Sequence, residues 1–293
     1  MKHRVTTGMR IFNIGNIILL AALAMTMFLP YLNILAQSFS SSKAITNGLV
    51  ALWPVDFTWI NYKYVFQDPT IWRAFLVSVI VTVGGTAINL VMTSSLAYPL
   101  SRQEYVGRKY IMMMILFTMI FSAPLIPVFI LIKSLGLMNS LWALVVPSAI
   151  SAFNFFIMRS FFMNIPTELI DSSRIDGCGE LGILWKIVVP LSKPAMATMG
   201  IYYAVYHWNS YTSALYYLND RNLYPLQIKL RQMIDTDTVS MDPNSAMFSE
   251  MLNVSPEGIK MATVFIATIP ILMVYPFLQK YFVKGMMIGS VKT

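Results

Sequence analysis

The sequence predicts an all-α integral membrane protein with six transmembrane helices and both termini on the cytoplasmic side. Of its 293 residues 57% are hydrophobic and only 12% charged, about half the charge of an ordinary soluble domain. Six charge-free runs are each long enough to cross a hydrocarbon core, which takes roughly 20 apolar residues as helix. They are Ile11 to Ser42, Ala74 to Ser101, Tyr110 to Ile132, Ser134 to Met158, Ala195 to Asn219 and Met261 to Gln279. The orientation comes from Lys and Arg, which are retained on the cytoplasmic side of short loops. With the N-terminus inside, that side holds 13 of the 21 basic residues but only Glu104, Glu168, Asp171, Asp176 and Glu180 among the acidic ones, so the whole formal excess of +8 falls there. Topology therefore accounts for the basic pI without a nucleic-acid ligand.

Taken in order, the chain reads as a single transmembrane domain over 1–293, with spans at 11–35, 74–101, 110–132, 137–158, 195–218 and 261–279. The first run is far longer than the apolar core of a secretory signal and carries no convincing small-residue cleavage site, so it is expected to remain as a span. Two long outer connections follow from the topology. Lys43 to Arg73 mixes Trp53, Trp59, Tyr62, Tyr64 and Trp72 with polar residues, which suits elements lying at the membrane interface. Asp220 to Lys260 carries Asp235, Asp237, Asp242, Pro243, Glu250 and Glu257. Each connection is either solvated loop or a seat for a soluble partner. Within the third span, Pro124 and Pro127 each remove a backbone donor and crowd the preceding turn, which predicts a kink. The single Cys178 excludes an intrachain disulfide and a cysteine metal cluster, and neither a metal site nor a catalytic residue is expected.

Between the fourth and fifth spans, residues 164–190 read as two short helices on the cytoplasmic side. Pro166 and Thr167 can start the first, with Glu168 and Asp171 in its opening turn, where the helix dipole favours carboxylates. Gly177 can end it in the left-handed conformation. The second is expected from about Glu180 to Val189, with Pro190 as its stop. Ser172 and Ser173 are small enough to let another chain approach closely, while Leu169 and Ile170 supply apolar contact, as a docking element requires.

The run Asp171 Ser172 Ser173 Arg174 Ile175 Asp176 Gly177 Cys178, followed by Ile187 Val188 Val189 Pro190 Leu191, resembles the cytoplasmic coupling motif of ABC importer permeases. The usual form there is Glu Ala Ala, two residues, Asp Gly Ala, then an apolar run and Leu Pro. The aspartate, glycine and proline match at the expected spacing; Asp171, the two serines and Cys178 are departures conservative in size and charge. Further stretches are similar to the carbohydrate branch of that family, the smaller permease of maltose-type importers. They are Phe57 to Tyr62, Met158 to Phe162, Trp208 Asn209, and Gln279 to Gly285, whereas Val77 Ser78 replaces the Asn Ser often found early in the second span.

The resemblance implies a type I ABC importer permease fold in a bacterial cytoplasmic (inner) membrane, with an oligo- or polysaccharide, alginate being one, as cargo. It implies three protein partners: a second, paralogous permease forming a heterodimer, a dimer of cytoplasmic ATPase subunits holding ATP and Mg, and an extracytoplasmic solute-binding protein. The chain itself has no Gly, four residues, Gly Lys Ser/Thr phosphate loop and so no cofactor of its own. Glu168, Asp171, Ser172, Ser173, Arg174, Asp176 and Gly177 would transmit ATP-driven motion to the spans. In the resembling family a tail like Gly285 to Thr293 reaches into the ATPase dimer; an unstructured terminus is the other reading.

The fifth span is unusually aromatic. Tyr203, His207 and Tyr211 lie four apart on one helix face, with Tyr206, Trp208 and Asn209 beside them. Aromatic faces pack on pyranose rings while amide and imidazole groups bond hydroxyls, so these six residues form the candidate substrate pathway, His207 and Asn209 foremost because polar groups at membrane depth usually face a cavity. The alternative is helix packing and interface anchoring. Two rival functions stand beside the importer reading: an ion-coupled secondary transporter, and an ABC permease for a non-sugar solute. Every Asp and Glu lies outside the six charge-free runs, which leaves an ion-coupled mechanism only His207 as a relay.

Overall fold

The computed structural model describes residues 7–235 and 255–290, with side chains over 8–234 and 255–274. Among the described residues every regular element is helical. Asp237, Asp242, Pro243 and Glu250 of the second outer connection, the side chains of Asp235 and of Gln279 to Gly285, and the final three residues lie outside this description.

The chain divides into two compact units, 1–69 with 230–269, and 70–229 with 270–293. In the first, helix α1 (Thr7–Ser38) is followed by α2 (Ser42–Thr46) and α3 (Ile60–Gln67). The most apolar stretch of α1 has none of its residues buried. Its C-terminal end, by contrast, is tied down by polar contacts. Ser38 and Tyr62 share a hydrogen bond of 2.9 Å, and Asn61, 1% exposed, donates to the carbonyls of Ser38 and Ser40 at 2.9 and 3.2 Å. Phe39, Phe57, Trp59 and Tyr62 pack ring against ring around this point. The last helix, α15 (Pro256–Ser290), begins in this unit and brings Gly258 against Asn61 so closely that a Cβ would stand 2.6 Å from the amide oxygen.

The second unit holds α4 (Pro69–Ser101), α5 (Arg108–Ile120), α6 (Leu125–Ser134), α7 (Trp142–Val145), α8 (Ala152–Met163), α9 (Thr167–Ile175), α10 (Glu180–Ile183), α11 (Val189–Leu191), α12 (Lys193–Trp208), α13 (Thr212–Tyr217) and the start of α14 (Leu226–Asp235). Among the described residues two apolar cores lie in it. One joins Ala97, Leu100, Phe155, Met158, Phe162, Ile183, Val188 and Met199; the other joins Val77, Val81, Ile132, Leu144, Ala214, Tyr217 and Ile228.

Three helices, α1, α4 and the start of α15, are individually long and apolar enough to cross a membrane, and the number rises to five when each bent pair counts as one span. The expected kink at Pro124 is present: α5 and α6 meet at 119°, with Phe121 extended and Pro124 at the cap of the new helix. The expected rod at 137–158 is also two pieces, bent by 54°, because Ser151 leaves the helical region and its hydroxyl caps α8 at the Asn154 amide. Over 195–218, α12 closes at Trp208, and α13 restarts after a break at Asn209 to Tyr211. A 16-residue helix is shorter than a bilayer core requires.

Candidate functional site: the coupling segment and the fifth-span face

Helix α9 starts at Thr167 after Pro166 and ends at Ile175, with Glu168 in its first turn. Gly177 follows at φ +80°, the left-handed value only glycine adopts freely, and its amide closes the helix on the Arg174 carbonyl at 3.0 Å. The second helix begins at Glu180 as expected, but Pro190 does not stop it. The helix widens into a π turn over Leu184–Val188, continues through α11, and ends at Ser192. A proline lacks the amide that a regular turn would need, and the wider turn before it accommodates that loss.

Arg174 organises the segment. Its Nε donates to Glu180 at 2.9 Å, its Nη1 donates to both carboxylate oxygens of Glu104 at 3.1 and 3.0 Å, and Asp171 lies 3.5 Å away. Glu104 sits just past the end of α4, so one guanidinium fixes α9 and α10 to the end of the second expected span. The hydrogen bonds to Glu104 and Glu180 raise the Arg174 pKa further above its ordinary value. Glu180 also accepts from the Tyr98 hydroxyl at 2.6 Å. That bond, followed by the one from Arg174, holds the Glu180 carboxyl below the usual glutamate value. Nearby, Arg102 donates to the Phe162 carbonyl at 3.1 Å and Arg159 to the Leu100 carbonyl at 2.8 Å, crossing the ends of α4 and α8. Burial lowers the Arg102 pKa.

The outward side of the segment is apolar and small. Leu169, Ile175 and Leu181 are 44%, 86% and 73% exposed, while Ile170 is buried in the chain's own core. Ile170 therefore anchors the segment and is not available to a partner; Ile175 and Leu181 take the place assigned to it from sequence. Ser172 and Ser173 return their hydroxyls to the Leu169 carbonyl at 3.2 and 2.6 Å. Glu168, Asp171, Asp176 and Gly177 are exposed, and Ser173 and Arg174 half-buried.

The fifth-span residues separate into two groups. Tyr203, His207 and Trp208 are buried; polar groups of α4 hold the first two, and the ring of Phe75 on α4 packs edge-on against Trp208. The Tyr203 hydroxyl shares a hydrogen bond of 2.7 Å with Thr93 and accepts from the Ser151 amide at 3.1 Å. His207 Nε2 lies 2.9 Å from the Asn89 amide oxygen, and Asn89 in turn donates to the Ser148 carbonyl. The opposite face presents Tyr202, Tyr206 and Asn209, all exposed and spaced for one side of a helix, with Phe153 edge-on to Tyr202. Tyr211 is half-buried against the second core. Sequence reasoning did not single out Asn89, Tyr98, Glu104 or Glu180 for these contacts. Asn89, an amide in the middle of a charge-free run, was the one signal that could have been read.

These features describe a helical chain with several apolar spans and a compact, exposed helix pair between the fourth and fifth expected spans. The chain belongs to the family of binding-protein-dependent transport system inner membrane components, whose family model matches residues 98–288. It is thus an inner-membrane ABC importer permease, a transport subunit rather than an enzyme. It is 46% identical over 272 residues to the polygalacturonan/rhamnogalacturonan transport system permease protein YtcP of Bacillus subtilis strain 168, covering 92% of this chain and 94% of that one. It is 44% identical over 292 residues to protein LplC of the same organism, covering 99% and 97%. Among solved structures it superposes on a chain of a bacterial ABC transporter that imports the acidic polysaccharide alginate, with a TM-score of 0.87, 34% identity, and coverage of 94% of this chain and 98% of that one.

Proposed function

We propose that this chain is one of two paralogous permeases of an importer for oligo- or polysaccharides containing uronic acids, alginate or a pectin-type galacturonan. It would work with an extracytoplasmic binding protein and a cytoplasmic ATPase dimer that supplies ATP and Mg. The observation that carries the coupling role is the Arg174 junction. A surface offering Leu169, Ile175, Leu181 and Gly177 to a partner is fastened through Glu104 to the end of α4 and runs through α10, the π turn and α11 into α12. Motion imposed on Glu168, Asp171, Ser172, Ser173, Arg174, Asp176 or Gly177 reaches both helices. Six spans with both termini and residues 164–190 inside follow from the charge distribution and from counting α12 with α13 as the fifth. The unburied length of α1 leaves a face for lipid or a partner helix to cover.

The substrate assignment rests on the relatives named for acidic polysaccharides and on the exposed Tyr202, Tyr206 and Asn209 face, which pairs aromatic surface with an amide. On this reading Tyr206 and Asn209 line the path, while Tyr203, His207 and Trp208 hold α12 in position behind them and Tyr211 flanks the break. Uptake into vesicles tests the proposal: oligogalacturonate or oligoalginate should enter only with ATP and a co-expressed ATPase, and Gly177→Asp should abolish substrate-stimulated ATP hydrolysis. Uptake without ATP, or full stimulation in a correctly inserted Gly177→Asp protein, would refute it.

A further inference from the structure

An open cleft of about 620 Å³ lies between the first turns of α5 and the C-terminal half of α8. Arg108, Lys109 and Arg159 line it, and one turn along the same two helices Met112, Met113 and Phe156 line it as well. The spacing explains the layering: Met112 and Met113 are each four residues beyond Arg108 and Lys109, and Phe156 is three before Arg159, so every cation stands at the end of an apolar stripe. No carboxylate lines the cleft, and among the described residues none of the three cations makes an ion pair. Arg159 uses Nε on the Leu100 carbonyl, Arg108 makes one long bond of 3.4 Å to the Arg102 carbonyl, and the α5 N-terminus, entered through Gly107 at φ +94°, has no side-chain cap.

We propose that this cleft binds the phosphodiester headgroup of an anionic phospholipid, with an acyl chain lying along Met112, Met113 and Phe156. Three cations without ion-pair partners at the positive end of the α5 dipole match a phosphate. The apolar wall running from that level toward the middle of the spans matches a hydrocarbon chain, which free phosphate lacks. Placement in the cytoplasmic leaflet, where anionic lipid is concentrated, rests on the proposed topology. A basic side chain near an anionic surface contributes about 1 kcal/mol, or about fivefold in affinity, so neutralising two should weaken binding about 25-fold.

The test uses the full-length chain purified with its co-purifying subunits. Binding of fluorescent phosphatidylglycerol is compared with phosphatidylcholine, with inorganic phosphate as competitor, for wild type and R108Q/K109Q. Arg159, which braces α8, is left intact, and an unchanged elution profile confirms folding. Preference for phosphatidylglycerol, a loss of about 25-fold in the double variant and no competition by millimolar phosphate would establish the site. Equal binding of both lipids, unchanged affinity in the variant, or displacement by phosphate would overturn it, as would a photocrosslink from position 113 that captures a protein subunit instead of lipid. The readout uses no ATP, so a failure of the coupling role in the Gly177→Asp assay leaves this result separately legible.

Discussion

Replacing Gly85 by alanine should destabilise the second unit, and only because His207 is there. A Cβ at this position would stand 2.6 Å from His207 Nε2 and 2.8 Å from its two neighbouring ring carbons, where ordinary contact begins near 3.4 Å. The ring would have to retreat by about 0.8 Å. That movement opens the 2.9 Å bond to Asn89, whose side chain is fully buried and, among the described residues, has only the Ser148 carbonyl as its other partner. Overpacking costs about 1–3 kcal/mol, a buried amide and imidazole left unpaired cost about 1–3 kcal/mol, and the better helix propensity of alanine returns about 1 kcal/mol. The net loss is about 3 kcal/mol, read as a drop of several degrees in the apparent unfolding temperature of the purified permease. In a His207→Ala background the ring is gone, and Gly85→Ala should become neutral or slightly stabilising, a coupling that a double-mutant cycle isolates. An equal penalty in both backgrounds, or none in the wild type, would refute the reasoning.

Two further outcomes follow from the Arg174 junction. Arg174→Ala should uncouple transport while leaving the protein in the membrane, because three exposed or half-exposed ion pairs contribute only about 0.2–1 kcal/mol each to stability; wild-type uptake in this variant would show that the link to Glu104 carries no motion. The second concerns acid. The Glu180 carboxyl sits below its ordinary value of 4.5, so its contribution is complete above that pH and is lost as pH falls through the lower folded value. Glu180→Gln should therefore flatten the acid limb of stability below about pH 4.5, and an acid limb identical to wild type would assign that loss to other groups.

The all-helical, membrane-spanning class is legible from where charge is missing, because a bilayer tolerates long apolar helices and little else. The kink at Pro124 and the start and end of α9 follow from local backbone chemistry, and so appear at Pro166 and Gly177 as read. What local chemistry does not reveal is which face of a helix turns inward. The aromatic run in α12 has apolar and polar residues all round, and only the polar stripe of α4 decides that Tyr203 and His207 point toward Asn89 and Thr93 while Tyr206 and Asn209 point away. Likewise Ile170 and Ile175 look equivalent in sequence, and tertiary packing alone buries one and exposes the other. Pro190 shows the same limit: a helix stop in isolation becomes part of a continuous helix once a wide turn precedes it.

The charges around Arg174 have a consequence for how the protein sits at the bilayer surface. Three carboxylates, Glu104, Asp171 and Glu180, meet the Arg174 guanidinium, and Arg102 lies near enough to act on Glu104 and Glu180, so the cluster keeps a small negative surplus, on the side that the proposed topology makes otherwise positive. Acidic headgroups that draw in the basic ends of the neighbouring helices repel this acidic island. On the proposed topology, that repulsion favours keeping the apolar tip of the segment away from the lipid surface and open to a protein partner.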